Sequence, residues 1–442
     1  MNGAQMLDVY VNATPVGTLA EETRASVFTY LPDVPAHDFV SLLLPVRAES
    51  YKWAAGLLPF FQMNLPEGYK KDLIRRKLGA HADVSDLGLL ALTGANGIGR
   101  VRVVPHGAPP TLAASNLDMA SLLASTGSRD NLLRHLEAGI AEGVSGVMPK
   151  VLARPEDKAT VWTDEFILKT GPVDLPGLSV NEFLCLEVAR LAGLEVPETE
   201  LSDDGQVLAI RRFDRLTDGS RLAVEDFCAL RGLDPVNKYK GSLEDLAKLL
   251  AIYVSAPHRK ESARRLFTLL LLNYALRNAD AHLKNFAVVY TSIDDVRLAP
   301  VYDIVTVTAY PEYRADIPGL PLAGKRTWAS GKLLAQYGGA RLNLSSADMA
   351  ACMGQVTQAI RKVVPLVSEY ADRYPEFREI AKRMLDAWAQ GAEDIKPDAR
   401  LGKTEPAPLR EQAGLSGQND LVSRKKTNVY VDPDGAFGHK AR

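Results

Sequence analysis

The segment Asn278-Ala279-Asp280-Ala281-His282-Leu283-Lys284-Asn285-Phe286, followed by Val301-Tyr302-Asp303-Ile304, gathers two acids, an amide, a lysine and a histidine along a short stretch of chain. It follows a very apolar run, and Asp280 and Asn285 stand five positions apart. Phosphoryl transfer needs such parts. One carboxylate accepts or orients a hydroxyl proton, while an amide and a second carboxylate hold metal ions that bridge the phosphates. The plain alternative, an Asp/Asn-rich turn that caps a helix, stays open. Asp303, placed after a hairpin-like insert, strengthens the chemical reading.

A second cluster is the loop Gly143-Val144-Ser145-Gly146-Val147-Met148-Pro149-Lys150. Its glycines allow close backbone approach, consecutive N–H groups can hold phosphate oxygens, and Lys150 adds a cation. The spelling is neither a P-loop, which needs G-x-x-x-x-G-K-[ST], nor a nucleophile elbow, because Val147 stands at the last glycine position. A simple turn remains the alternative. A third pair is Lys169, ending the strand-like EFILK, with Glu182 opening a helix 13 residues later. A strand lysine paired to a helix glutamate positions nucleotide phosphates in kinases; a snorkelling edge lysine is the rival. Glycine loop, strand lysine, helix glutamate, strand into linker, helical lobe, D-x-x-x-x-N and then Asp is the order found in a kinase. Gly94-x-x-Gly97-x-Gly99 lacks the dinucleotide fingerprint and reads as hairpin turns. His37, His81, His106, His135, His258 and His439 show no ligand spacing.

The elements that must position these groups follow from the patterning. Residues 7–19 alternate around Asn12-Ala13-Thr14-Pro15 as strand, turn and strand. Ser41–Val46 reads as a strand ending near a proline, Phe60–Gly68 opens a helix, and VRVV at 101–104 is another strand. His106 to Ser128 is turn-rich and reads as a linker. A helix runs around Asn131–Ala141. Strands are expected at 159–162, 165–169 and 207–210, with a capping box at Ser179–Glu182 before a helix stopped by Gly193. Helices are expected at 243–254, 260–277, 346–372 and 375–390, interrupted by one β-like insert from Phe286 to Val305. Residues 400–442, rich in Gly, Pro, Ser, Gln and basic side chains, read as a mostly disordered tail.

The whole chain has 442 residues, 46% hydrophobic and 24% charged, which suits a globular protein of two or three units. Its formal net charge of -2 argues against a protein that coats nucleic acid. Cys185, Cys228 and Cys352 are too few and too scattered for a disulfide framework or a four-cysteine zinc site, which fits a reducing compartment. The longest strongly apolar run, Leu266–Leu276, is too short to span a bilayer, and the first residues lack the charged-then-apolar pattern of a signal peptide. A cytoplasmic location is therefore expected.

NADAHLKNF with VYDIV, SGVMPKVL, EFILK, NEFLCLEVARLAGLEVP, IRRFDR and EDFCALRG, together with VYVNATPVGTL, SLLLPV, FFQMNLPEG and LTGANGIG, resemble the HipA family of bacterial serine/threonine kinases. These are the toxins of type II toxin–antitoxin modules. The resemblance runs to about residue 395. It implies that Asp280 is the catalytic base and that Asn285 and Asp303 hold Mg²⁺. It places Ser145, Gly146, Val147, Met148, Pro149 and Lys150 over the ATP phosphates, with Lys169 contacting them and His282 and Lys284 nearby. Arg211, Arg212 and Phe213 would line the adenine pocket. Many relatives autophosphorylate a serine three residues before the loop glycine. Gly143 occupies that place here, so Ser145 becomes the expected phosphorylation site. Arg211 stands where some relatives have Glu. The family also implies a protein substrate of the aminoacyl-tRNA synthetase class. Its members have a small helix-turn-helix, HipB-like antitoxin partner, whose dimer binds operator DNA.

The expected fold is α+β, protein-kinase-like and bilobal: an N-terminal α+β subdomain at 1–105, rich in β structure, an ATP-binding lobe at 129–240, and a mainly α-helical catalytic lobe at 241–395. The expected reaction is Mg²⁺-dependent transfer of the ATP γ-phosphoryl group to a protein Ser/Thr. A small-metabolite kinase and a pseudokinase co-repressor acting with the antitoxin are the alternatives.

Overall fold

The computed structural model describes residues 6–22, 25–54, 56–66, 71, 73–76, 79, 83–110, 117–142 and 159–396. The glycine loop at 143–150 and the tail at 400–442 lie outside them. The alternating N-terminal segment forms β1 (Met6–Val11) and β2 (Thr14–Glu22), turned at Asn12 with φ 55°, a conformation that Asn tolerates better than most residues. With β3 (Ala25–Tyr30), β4 (Tyr51–Trp53) and β5 (Val101–Pro105) they build an antiparallel sheet of order β4-β3-β2-β1-β5. Leu7, Val9, Leu19 and Phe28 pack there against Phe60 and Phe61 of α1 (Pro59–Gln62) and Leu89 and Leu90 of α2 (Asp86–Thr93).

Ser41–Val46 is not the expected strand. It makes a tight turn with a single Ser41–Leu44 bridge. The Tyr30 hydroxyl donates to Leu44 O at 2.5 Å and accepts from Val40 N at 2.8 Å, while Leu42 N donates to Glu225 Oε1 at 2.8 Å. Side chains thus satisfy backbone groups that a neighbouring strand would have taken. The expected linker is also more ordered than its composition suggests. It contains α3 (Met119–Leu123), capped by Asp118, and leads into α4 (Ser128–Glu142). Leu122, Leu132, Leu133 and Leu136 pack on Val161, Leu168 and Val207 of the next sheet.

That sheet contains β6 (Ala159–Trp162), β7 (Phe166–Thr170), β8 (Thr199–Leu201) and β9 (Val207–Arg211) in the order β6-β7-β9-β8. Beside it lies α5 (Leu178–Leu191). The expected capping box is absent: Gly177, at φ 66°, is the N-cap, and Ser179 Oγ donates to Gln206 O at 2.9 Å. Glu182 is not part of a cap and pairs with Lys169.

Beyond it come β10 (Ala223–Asp226), α6 (Phe227–Leu230), α7 (Leu243–Tyr253) and α8 (Arg259–Ala275), then β11 (Ala287–Tyr290) and β12 (Arg297–Leu298). The chain continues through α9 (Gly331–Leu342), α10 (Ser346–Arg373) and α11 (Arg378–Asp394). The C-terminal half of α8, Leu266 to Ala275, is buried all round, which is why it reads as an apolar run. Gly391 lets α11 approach it: a Cβ there would lie 2.1 Å from Ala275 O. The helix α9 is absent from the sequence reading because its glycines weaken local propensity. Gly338 sits in close packing, where a Cβ would lie 2.7 Å from Met349 Sδ. No helix among the described residues is long and apolar enough to cross a membrane.

Candidate active site

Lys169 lies on β7, one residue before its end, and its side chain leaves the sheet towards α5. Its Nζ donates to Glu182 Oε1 at 2.5 Å and to Asp303 Oδ1 at 2.8 Å. Burial alone would make this ammonium easier to deprotonate, but the carboxylates of Asp303 and Glu182 outweigh it and hold the proton firmly. Lys169, Glu182 and Asp303, taken from a strand, a helix and a loop, therefore meet at one point.

Asp303 follows the β11–β12 hairpin and adopts φ 62°. A non-glycine residue in the left-handed region costs energy and persists where its surroundings hold it. Here the hold is visible: Asp303 Oδ2 accepts from Asn285 Nδ2 at 3.0 Å, and Oδ1 takes the Lys169 bond. Asn285 ends a 3₁₀ turn, Leu283–Asn285, and its Oδ1 accepts from His282 N at 2.9 Å. The two residues offer oxygen donors from one amide and one carboxylate. Among the described residues no group of three or more His, Cys, Asp or Glu converges as a closed metal cage. A sparse oxygen set of this kind suits Mg²⁺, which keeps several waters and takes further oxygens from phosphates.

Asp280 lies five residues before Asn285 and is exposed. The Tyr239 hydroxyl donates to its Oδ1. His282 is buried, and burial together with the Lys238 charge pushes its imidazole down to about 4, so the ring is neutral at pH 7. Its Nδ1 has no partner among the described residues. The Lys284 carbonyl accepts from the Tyr302 hydroxyl at 2.8 Å.

The three residues after the central strand separate. Arg211 points outward, with its Nε 2.8 Å from Glu198 Oε2. Phe213 stacks on Tyr302, centroids 6.0 Å apart, and so touches the residue before Asp303. Arg212 is fully buried: its Nε and Nη2 donate to Asp214 at 3.1 and 2.8 Å, and Nη2 also reaches Gly97 O at 2.8 Å. Its guanidinium is a strut between the loop before β5 and this lobe. Ser145 to Lys150 lie outside the described residues. The sequence reading did not single out Tyr239, Tyr302 or Asp214.

Residues 7–104 match the HipA N-terminal domain, and residues 143–364 match the HipA-like C-terminal domain. The candidate kinase Y4dM of Sinorhizobium fredii is 28% identical over 367 residues, covering 77% of this chain and 81% of that protein. The serine/threonine-protein kinase toxin HipA of Shewanella oneidensis is 24% identical over 196 residues, covering 39% of this chain and 45% of that one. A solved structure of the Shewanella oneidensis HipA, HipB and operator DNA complex has a chain that superposes with a TM-score of 0.63 at 18% identity, covering 88% of this chain and all of that one. That likeness shows a shared α+β, kinase-like fold. Because the C-terminal match spans half the chain and the N-terminal match most of its first 105 residues, the chain belongs to the HipA family.

Proposed function

We propose that this chain is a Mg²⁺-dependent serine/threonine protein kinase of HipA type, the toxin of a toxin–antitoxin module. The observation that carries this reading is the convergence of Lys169, Glu182, Asn285 and Asp303, with Asp280 five residues from Asn285. Lys169, held charged and aimed by Glu182, binds phosphate oxygens. Asn285 and Asp303 would hold Mg²⁺, which would supply neutralisation of the phosphate charge. Asp280 takes the proton from the acceptor hydroxyl. Neutral His282, whose Nδ1 has no partner among the described residues, offers a hydrogen bond at the phosphate side without adding charge. Lys169 and Asn285 occupy Asp303 in the present state. They keep its carboxylate placed and compensated until nucleotide arrives.

The residues around Ser145 cover the phosphates, and Ser145 takes the autoregulatory role that Gly143 cannot fill. A phosphate there adds about -1.5 to -2 charges facing Asp280 and Asp303, which opposes ATP binding. The protein substrate is of the aminoacyl-tRNA synthetase class. The partner is a HipB-like helix-turn-helix dimer, through which the chain reaches DNA. The expected result after incubation with Mg·ATP is phosphate on Ser145, read by mass spectrometry and absent from the Asp280→Asn protein. Phosphorylation of an added protein substrate while Ser145 stays unmodified would leave Ser145 only a ligand-contact role. No transfer to any protein would refute the kinase reading.

A further inference from the structure

Asp280 is an exposed carboxylate, and an Asp side chain rotates easily about its last torsion. A proton acceptor that samples many orientations is a poor one, because in-line transfer demands a fixed approach. The connection between α6 and α7 answers this. Tyr239, within it, donates its hydroxyl to Asp280 Oδ1. Its backbone is pinned on both sides. The Arg326 guanidinium donates to Tyr239 O at 3.1 Å, and the adjacent Lys238 O accepts from Leu283 N, also at 3.1 Å, inside the 280–285 turn. The ring stands edge-on to His282, centroids 5.1 Å apart at 84°. The phenol is thus built into the same rigid unit as the residues it serves. Burial, then the Asp280 carboxylate, raise the phenol's resistance to ionisation, so it remains a donor at neutral pH.

We propose that Tyr239 is a positioning residue for phosphoryl transfer, its hydroxyl fixing Oδ1 of Asp280 so that Oδ2 faces the acceptor hydroxyl. This rests on the reading of Asp280 as the proton acceptor. In the step it serves, the acceptor oxygen forms the new P–O bond and the bond from the γ-phosphorus to ADP breaks. The acceptor proton passes to Asp280 Oδ2, and the Tyr239 proton stays on its own oxygen.

The test compares wild type, Tyr239→Phe, Asp280→Asn and the double variant. It measures phosphate incorporation from Mg·ATP into casein and into the chain itself, with Mg·ATP affinity by calorimetry and thermal melting alongside. Tyr239→Phe is expected to lower kcat roughly 10- to 100-fold, the scale of one hydrogen bond to a charged group. KM and Kd for ATP and the melting temperature should stay unchanged, and the double variant should be no slower than Asp280→Asn. Wild-type kcat in Tyr239→Phe alongside an inactive Asp280→Asn protein would overturn the positioning role and leave the base intact. A loss that tracks weaker ATP binding or a lower melting temperature would reduce Tyr239 to a packing role. An active Asp280→Asn protein, or a wild type that transfers no phosphate, would instead remove the underlying reading and this inference with it.

Discussion

Two clusters of opposite charges lie close in this molecule and differ in how completely their bonds are filled. In the first, Arg212 and Asp214 have side chains with 0% exposure. Asp214 accepts from Arg212 Nε, Arg212 Nη2, Arg215 Nη1 and Gly99 N, at 3.1, 2.8, 2.7 and 2.8 Å. Burial works against that carboxylate's charge, and the two guanidinium groups more than restore it, so its pKa lies below the usual range. In the second, Asp303 is 34% exposed, Asp280 is exposed, and His282 Nδ1 has no partner among the described residues. A saturated, buried ion cluster fixes two subdomains against each other. A partly open one keeps donors and acceptors available for a ligand. Charge density alone separates neither; the count of unfilled bonds does.

The sharpest break of this contrast is Asp280→Asn. It keeps shape and removes the proposed proton acceptor, so phosphate transfer should fall roughly 10²–10⁴-fold while thermal melting stays at the wild-type value. Turnover near wild type would remove Asp280 from the chemistry. Asp214→Ala should do the reverse. It leaves the buried Arg212 guanidinium without its counter-charge, while the half-buried Arg215 keeps Asp164, and should cost about 3–5 kcal/mol in stability, read from denaturant unfolding. An Asp214→Ala protein with unchanged unfolding would mean that water, not Asp214, compensates Arg212.

A smaller effect concerns another contact between the N-terminal subdomain and the rest. Glu225 accepts from Ser41 Oγ at 2.6 Å, Leu42 N at 2.8 Å and Tyr290 Oη at 2.5 Å, and burial pushes its carboxyl up to about 7. The folded chain therefore binds this proton more tightly than the unfolded chain. The stabilisation is fully present below the ordinary carboxyl value of 4.5 and is lost as pH rises through about 7. The difference in unfolding free energy between wild type and Glu225→Gln, followed from pH 4 to 8, should move against wild type with rising pH. A flat difference would mean that the three donors keep Glu225 ionised throughout.

Local pattern and motif spacing made much of this protein legible. The alternation in 6–22, the strands at 159–162 and 207–211, the apolar run of α8 and the long α10 follow from side-chain period and from burial that is uniform along an element. The Asp280–Asn285 spacing, Lys169 with Glu182, and Asp303 after a hairpin were also visible in the chain. The parts that went astray depend on distant partners. Ser41–Val46 looks like a strand until Tyr30 and Glu225 claim its backbone. Ser179–Glu182 looks like a capping box until Gly177 starts the helix and Lys169 takes the carboxylate. The glycines of α9 look like helix breakers until Met349 and Phe267 pack onto Gly338. Arg212 and Phe213 are adjacent in sequence, yet β9 delivers one guanidinium into the subdomain contact and one ring onto Tyr302. Tyr239 carries no signal in its neighbours at all, because its partner Asp280 is 41 residues away. Sequence by itself marked which residues carry groups suited to phosphoryl chemistry and where most of the strands and helices lie. Only tertiary structure decided which charges are sealed and which remain open, because that depends on groups brought together across the fold and on the water their packing excludes.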